Sequence, residues 1–262
     1  ATLVHIQNGE KKAGYFRQQT RFSDFIDFNK DNLEYTQRSI TNFIIEGTHT
    51  NKEANFKSEW KISPTLSRIH DKDIRTTTFQ DEDGVFSFQE NTEPKRIWRF
   101  LNENHINSKI DFTKSYKVND EKGKLKFGAL SNYQIRDFEI GQYSVSSTYS
   151  SVEDWDNYQG LSDAILDENN IWNSENNSGS YINANTTIFE EARKFNAEKT
   201  NISLYVSNEV KMLGVLRTVI GLRVEKFDLY YTGKNSQQEI NYFKENVINK
   251  LDLFPTLNLI FT

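Results

Sequence analysis

A two-residue alternation runs through residues 201–231, and its two phases differ in chemistry. Over residues 201–210 one phase is Ile202, Leu204, Val206 and Val210. The other is Asn201, Ser203, Tyr205, Ser207 and Glu209. Over residues 216–225 one phase is Leu216, Thr218, Ile220, Leu222 and Val224, and the other is Arg217, Val219, Gly221, Arg223 and Glu225. Successive side chains of a strand point to opposite faces. These segments are therefore strands of a sheet with one apolar and one charged face. Such a sheet is one layer of a soluble sandwich or the wall of a transmembrane barrel.

Composition leans toward the second. Hydrophobic residues make up only 36% of the 262, yet aromatics reach 13%, with 19 Phe and 12 Tyr. A barrel needs apolar residues on one face only, plus aromatic girdles. The net charge of −5 argues against a nucleic-acid partner. With no Cys there is no disulfide framework, thiol nucleophile or cysteine metal site. No apolar run approaches the ~18 residues of a membrane helix, which is also how barrel strands read.

Further strands follow the same rule. Residues 39–46 set Ile40, Asn42, Ile44 and Glu46 against Ser39, Thr41, Phe43 and Ile45. Residues 54–63 set Ala54, Phe56, Ser58, Trp60 and Ile62 toward lipid or core, and Asn55, Lys57, Glu59, Lys61 and Ser63 toward water. Residues 76–80 and 85–90 flank Asp83-Gly84, a favoured hairpin pair. Residues 106–118 and 124–136 alternate too, on either side of a turn over residues 119–123. Short turns thus alternate with long polar connections, the longest over residues 146–199. Short helices are expected within residues 152–169 and over residues 238–250. Residues 1–6 read as a strand rather than a signal peptide, and residues 257–262 as a strand in progress. Both imply a piece of a longer chain.

Val219-Ile220-Gly221-Leu222-Arg223-Val224-Glu225-Lys226-Phe227, followed by Tyr230-Tyr231-Thr232-Gly233, resembles the barrel of TonB-dependent outer-membrane receptors, especially those of Bacteroidetes. So does Leu251-Asp252-Leu253-Phe254-Pro255-Thr256-Leu257-Asn258-Leu259-Ile260-Phe261. Asp73-Ile74-Arg75, Arg96-Ile97-Trp98-Arg99, Lys124-Leu125-Lys126-Phe127-Gly128 and Arg136-Asp137-Phe138-Glu139 are similar to the same group. Together these motifs cover the chain from about Leu33 onward. The resemblance implies an all-β, antiparallel transmembrane β-barrel with long extracellular loops and short periplasmic turns. Residues 1–262 are then a barrel segment of a larger receptor in the outer membrane, without its plug domain and TonB box. The implied partners are outer-membrane lipid, the TonB complex through the missing N-terminal part, and a siderophore, glycan or similar nutrient.

No catalytic constellation emerges, so an enzyme is not expected, nor a cofactor or a metal. His70 beside Asp71 and Asp73 reads as a solvated turn more readily than as a cation site. Glu153, Asp154 and Asp156 are adjacent in sequence, which does not supply the ~5–10 Å separation that a glycosidase pair needs. The candidate ligand residues are Trp155, Tyr158, Trp172 and Tyr181 of the long connection. Their rings offer stiff contact area among hydrogen-bonding Asn and Asp, although the same rings would serve to pack the loop on itself. The charged phase (Lys57, Glu59, Lys61, Lys109, Asp111, Arg217, Arg223 and Glu225) is expected to line a lumen as paired charges. A soluble β-sandwich module that binds a ligand or carbohydrate is the alternative.

Overall fold

The computed structural model describes residues 1–21, 25–82, 84–87, 93–118, 121–148, 158–175, 177–183, 190–212, 215–235 and 239–261. They form one antiparallel sheet of ten strands. Eight long strands lie side by side in chain order: β1 (Thr2–Arg21), β2 (Phe25–Asn51), β3 (Phe56–Glu82), β5 (Lys95–Val118), β6 (Glu121–Thr148), β8 (Lys194–Met212), β9 (Leu216–Lys234) and β10 (Asn241–Phe261). Two short strands flank the path. β4 (Val85–Ser87) pairs with β3 across the expected hairpin, where Gly84 adopts φ 88. β7 (Gly179–Asn183) pairs with β6. Each long strand has between 19 and 28 residues, against an average of ~5–6 in soluble domains. Among the described residues β1 and β10 pair on one side only, so the sheet is open.

Connections differ at the two ends of the sheet. At one end β2–β3, β5–β6 and β8–β9 are joined by residues 52–55, 119–120 and 213–215. In the first of these the Asn51 side chain accepts from the Ala54 amide at 3.0 Å, and Asn55 takes φ 49 to turn the chain. At the other end lie the long connection 149–193, the β4 arm, the six residues 235–240 and the three residues 22–24. The expected turn over residues 119–123 is shorter, because Glu121, Lys122 and Gly123 already pair with Val118, Lys117 and Tyr116.

Two helical expectations meet different outcomes. Within residues 158–170 the backbone forms 3-10 turns at Ser162–Leu166 and Glu168–Asn170. Residues 241–250, expected to be helical, are strand instead. They pair with β9 through two register shifts, and Lys244 sits at φ 50 in the first. Each inserted residue stretches the period-two pattern, so Ile240, Phe243 and Val247 fall at a spacing that mimics a helix. Residues 152–157 lie outside the described residues.

Buried core is scarce. Phe79, Val145, Tyr158 and Ile165 form one small cluster where the long connection folds onto β3 and β6. No helix among the described residues is long and apolar enough to cross a membrane, which says nothing about strands.

Candidate functional site

Cross-strand partners share a face, so the register sorts the side chains of the whole sheet. Trp60, Ile110, Ala129, Leu204, Val224 and Leu253 form one row across β3, β5, β6, β8, β9 and β10. The next row toward the short connections is Ser58, Phe112, Phe127, Val206, Leu222 and Pro255. Leu3, Phe43, Ile62, Leu66 and Ile106 extend this apolar belt through β5 to β1. The belt lies in the half of the sheet nearest the short connections. Leu204 is 58% exposed, Ile220 59% and Leu253 63%. On β10 it spans residues 251–261. Roughly 11 residues at ~3.3 Å each, tilted by ~45°, give a height of ~25 Å, the height of a barrel's lipid-facing band.

Behind the belt the other face is charged, and its carboxylates Asp111, Glu209 and Glu225 are more covered than the belt's leucines. One row reads Glu59, Asp111, Gly128, Tyr205 and Arg223. Three ion pairs run along single strands: Lys57–Glu59 at 2.7 Å, Lys109–Asp111 at 2.7 Å and Arg223–Glu225 at 2.9 Å. Two more cross between strands, Lys61–Glu46 at 3.8 Å and Arg217–Glu209 at 2.6 Å. The Asp111 and Glu225 side chains are each 19% exposed. A row of amides lies above them: Asn107 accepts from Asn132 at 2.7 Å, and Asn201 donates to Glu225 at 2.5 Å. Every residue expected in the charged set is on this face, and five pairs engage all eight. Exposed leucines and half-buried carboxylates invert the arrangement water selects.

Farther from the short connections the faces exchange character, which the sequence reasoning missed. On the charged face the row Ile69, Leu101, Phe138 and Phe195 is apolar. Phe138 stacks on Phe195 with centroids 5.1 Å apart, and Phe195 stacks on Tyr231 at 5.6 Å. On the belt face the neighbouring row is polar: Arg68, Asn102, Asp137, Asn196 and Thr232. The signal was present in β6, where the apolar phase moves from Leu125, Phe127 and Ile135 to Phe138 and Ile140. On the belt side of this polar zone a cavity of about 510 Å³ is lined by Phe100, Asp137, Glu139, Lys194, Asn196 and Phe243.

Of the four candidate ligand residues, Trp155 lies outside the described residues. Tyr158 is fully buried, packed against Phe79 at 6.2 Å and hydrogen-bonded to Ser180. It holds the long connection on the sheet, where Ser162 also donates to Asp31 and Arg75 pairs with Asp163 at 3.3 Å. Trp172 and Tyr181 are 40% and 42% exposed. The backbone brings them together, since the Trp172 amide donates to the Ser180 carbonyl at 2.9 Å.

The His70 trio does not assemble. Asp71 accepts from Thr36 at 2.6 Å and pairs with Arg99 at 2.7 Å, on the face opposite His70. Asp73 is held by Arg75 at 2.8 Å and by Arg96. Among the described residues no group of His, Asp and Glu has the arrangement of a metal site. Residues 153–156 lie outside the described residues. No protein-family model matches the chain, and no curated protein matches it.

Proposed function

We propose that this chain forms part of the wall of an outer-membrane β-barrel, in a receptor of the TonB-dependent type that imports a nutrient such as a siderophore or glycan. The observation that carries the reading is the pairing of an exposed apolar belt that runs from β2 to β10 with an ion-paired opposite face on which Asp111 and Glu225 are largely covered. A surface of that size facing water marks an interaction or a membrane. A height of ~25 Å on tilted strands is the dimension a bilayer demands. Above the belt the same face turns polar, as a wall rising out of lipid into water must. All three connections at one end are short, and the two longest, 149–193 and the β4 arm, lie at the other, which fits the sidedness of such barrels. The nutrient class comes from the motif resemblance alone. On this reading Trp172 and Tyr181, on the long-connection side, are the aromatic pair available to a ligand.

A soluble sandwich would need a second apolar layer on the belt, and the belt residues are exposed. The test is detergent dependence. The chain is folded with and without neutral detergent, and its gel migration is compared before and after boiling. Detergent-dependent β-structure with heat-modifiable migration is expected. A water-soluble monomer that unfolds cooperatively would overturn the proposal.

A further inference from the structure

Just beyond the belt, on its own face, lies a patch of cations without counter-charges. Leu66 of β3 is still belt, 45% exposed. The next positions on that face are Arg68, His70 and Lys72. Lys72 donates to Gln37 of β2 at 2.6 Å, which fixes it on the same side. Tyr35 of β2 stands beside them, and its hydroxyl leans over Gly9 of β1, where a Cβ would lie 3.0 Å away. Lys11 and Lys72 each hold their ammonium 6.0 Å from the centre of the Tyr35 ring. Lys11, Arg68 and Lys72 are exposed and form no ion pair among the described residues.

The surroundings are one-sided in charge. From the belt up to these cations, the register places no carboxylate on this face of β1, β2, β3 or β5. Asp71 and Asp73, which flank Lys72 in sequence, are engaged by Arg99 and by Arg75 and Arg96, and the first carboxylates on this face, Asp137 and Glu139, are on β6, two strands from Arg68 and His70. Some cations of other strands do have partners, as Lys226 has in Asp228 at 3.1 Å and Lys244 in Glu198 at 3.4 Å. Two ammoniums beside a phenol, with a guanidinium on the same face nearer the belt, offer the donors that a phosphate's oxygens take. Their height at the rim of the apolar belt is where headgroups sit.

We propose that Lys11, Tyr35, Arg68 and Lys72 form a binding site for the phosphate headgroup of a membrane lipid whose acyl chains lie on the belt. The inference rests on the reading of the belt as a membrane-spanning surface. The lipid anchors at the rim through charge and below it through apolar contact, two signals that reinforce each other.

The test takes the chain folded in neutral detergent, offers it phosphatidic acid or phosphatidylcholine, and measures the lipid retained after washing. Retention of phosphatidic acid should exceed that of phosphatidylcholine by about tenfold or more. The Arg68→Gln, Lys72→Gln double variant should lose that excess while keeping its β-signal and its detergent uptake. Lys11→Gln alone serves the same purpose if the double variant does not fold. No excess in the unmodified chain, or an excess that survives in the variants, overturns the site. Inorganic phosphate that binds equally well without lipid overturns the lipid assignment. A chain that takes up no neutral detergent overturns the belt reading itself, whereas uptake without phosphate preference overturns only the lipid site.

Discussion

The Tyr205 hydroxyl on β8 donates to Asp111 Oδ1 on β5 at 2.6 Å, reaching over β6, the strand between them. It passes above Gly128, the β6 residue paired with both. A Cβ at Gly128 would lie 2.8 Å from the Tyr205 ring and 2.4 Å from the Ile110 carbonyl oxygen. Three strands are thus tied by one side chain that only a glycine lets through.

Glycine to alanine within a strand ordinarily stabilises by ~0.5–1 kcal/mol. At Gly128 the steric cost of ~1–3 kcal/mol wins, because one of the atoms met is backbone. Gly128→Ala should destabilise the chain. Tyr205→Phe should cost about 1 kcal/mol, since Asp111 keeps Lys109. Denaturant titration of both variants in detergent checks the order. A neutral Gly128→Ala would mean that Tyr205 does not cross β6.

Asp73 is the residue around which β3 changes phase. It sits at φ 61 in a register shift shared with β5. Desolvation raises its pKa, but hydrogen bonds and charge from Arg96 and Arg75 outweigh that and hold it below the ordinary 3.8. The sign follows from the depressed value. Its stabilising contribution is complete above pH ~4 and is lost as pH falls through the lower folded value. Asp73→Asn keeps a residue type that tolerates positive φ and removes the charge. Stability should therefore drop at pH 7, and the wild-type to variant difference should shrink below pH ~4. A difference that is constant with pH would remove the charge from the account.

A charge in the middle of the belt separates lipid from water. Leu204→Arg should cost ~2–4 kcal/mol if that face meets a bilayer midplane. At a position 58% exposed to water the same change should lie within ~0.5 kcal/mol. Folding into lipid vesicles, followed by denaturant titration, reads the difference. Lys61→Arg, on the other face at a side chain 48% exposed, is the control and should be much the milder change.

Removing the fully buried ring in Tyr158→Ala should cost ~3–5 kcal/mol locally. The cluster it joins is small and peripheral, so the cost should open the long connection and leave the sheet intact. Limited proteolysis should then cut within residues 158–183, with the β-signal unchanged. Cleavage spread equally through β8 and β9 would mean that the segment is integral to the sheet.

The strands were legible wherever period two held without interruption. Phe56, Trp60, Leu204 and Ile220 all lie on the face their phase assigns them, because one shift of register would bury every charge in the apolar layer. The same reasoning failed in β10 above residue 250, where two inserted residues break the period and imitate a helix. At Tyr158 it left two readings open, since an aromatic among Asn and Ser reads alike whether it awaits a ligand or anchors a loop. Buried hydrogen bonding to Ser180 is a long-range fact that composition does not carry. The cations at Lys11, Arg68 and Lys72 were invisible for a similar reason: β1 and β3 contribute them from either side of β2, and only the register brings them together.

The unequal connections also bear on how such a sheet gets into a bilayer. At one end β2–β3, β5–β6 and β8–β9 are joined by four residues at most. The opposite end carries a folded cap with Tyr158 inside it and Arg75 paired to Asp163 on its surface. Passage of that end through hydrocarbon would require unmaking the cap and stripping its charges. On the proposed reading the long connections end up outside, so the end that carries Tyr158 is the one that must cross the hydrocarbon, and the cap's contacts can form only after that crossing.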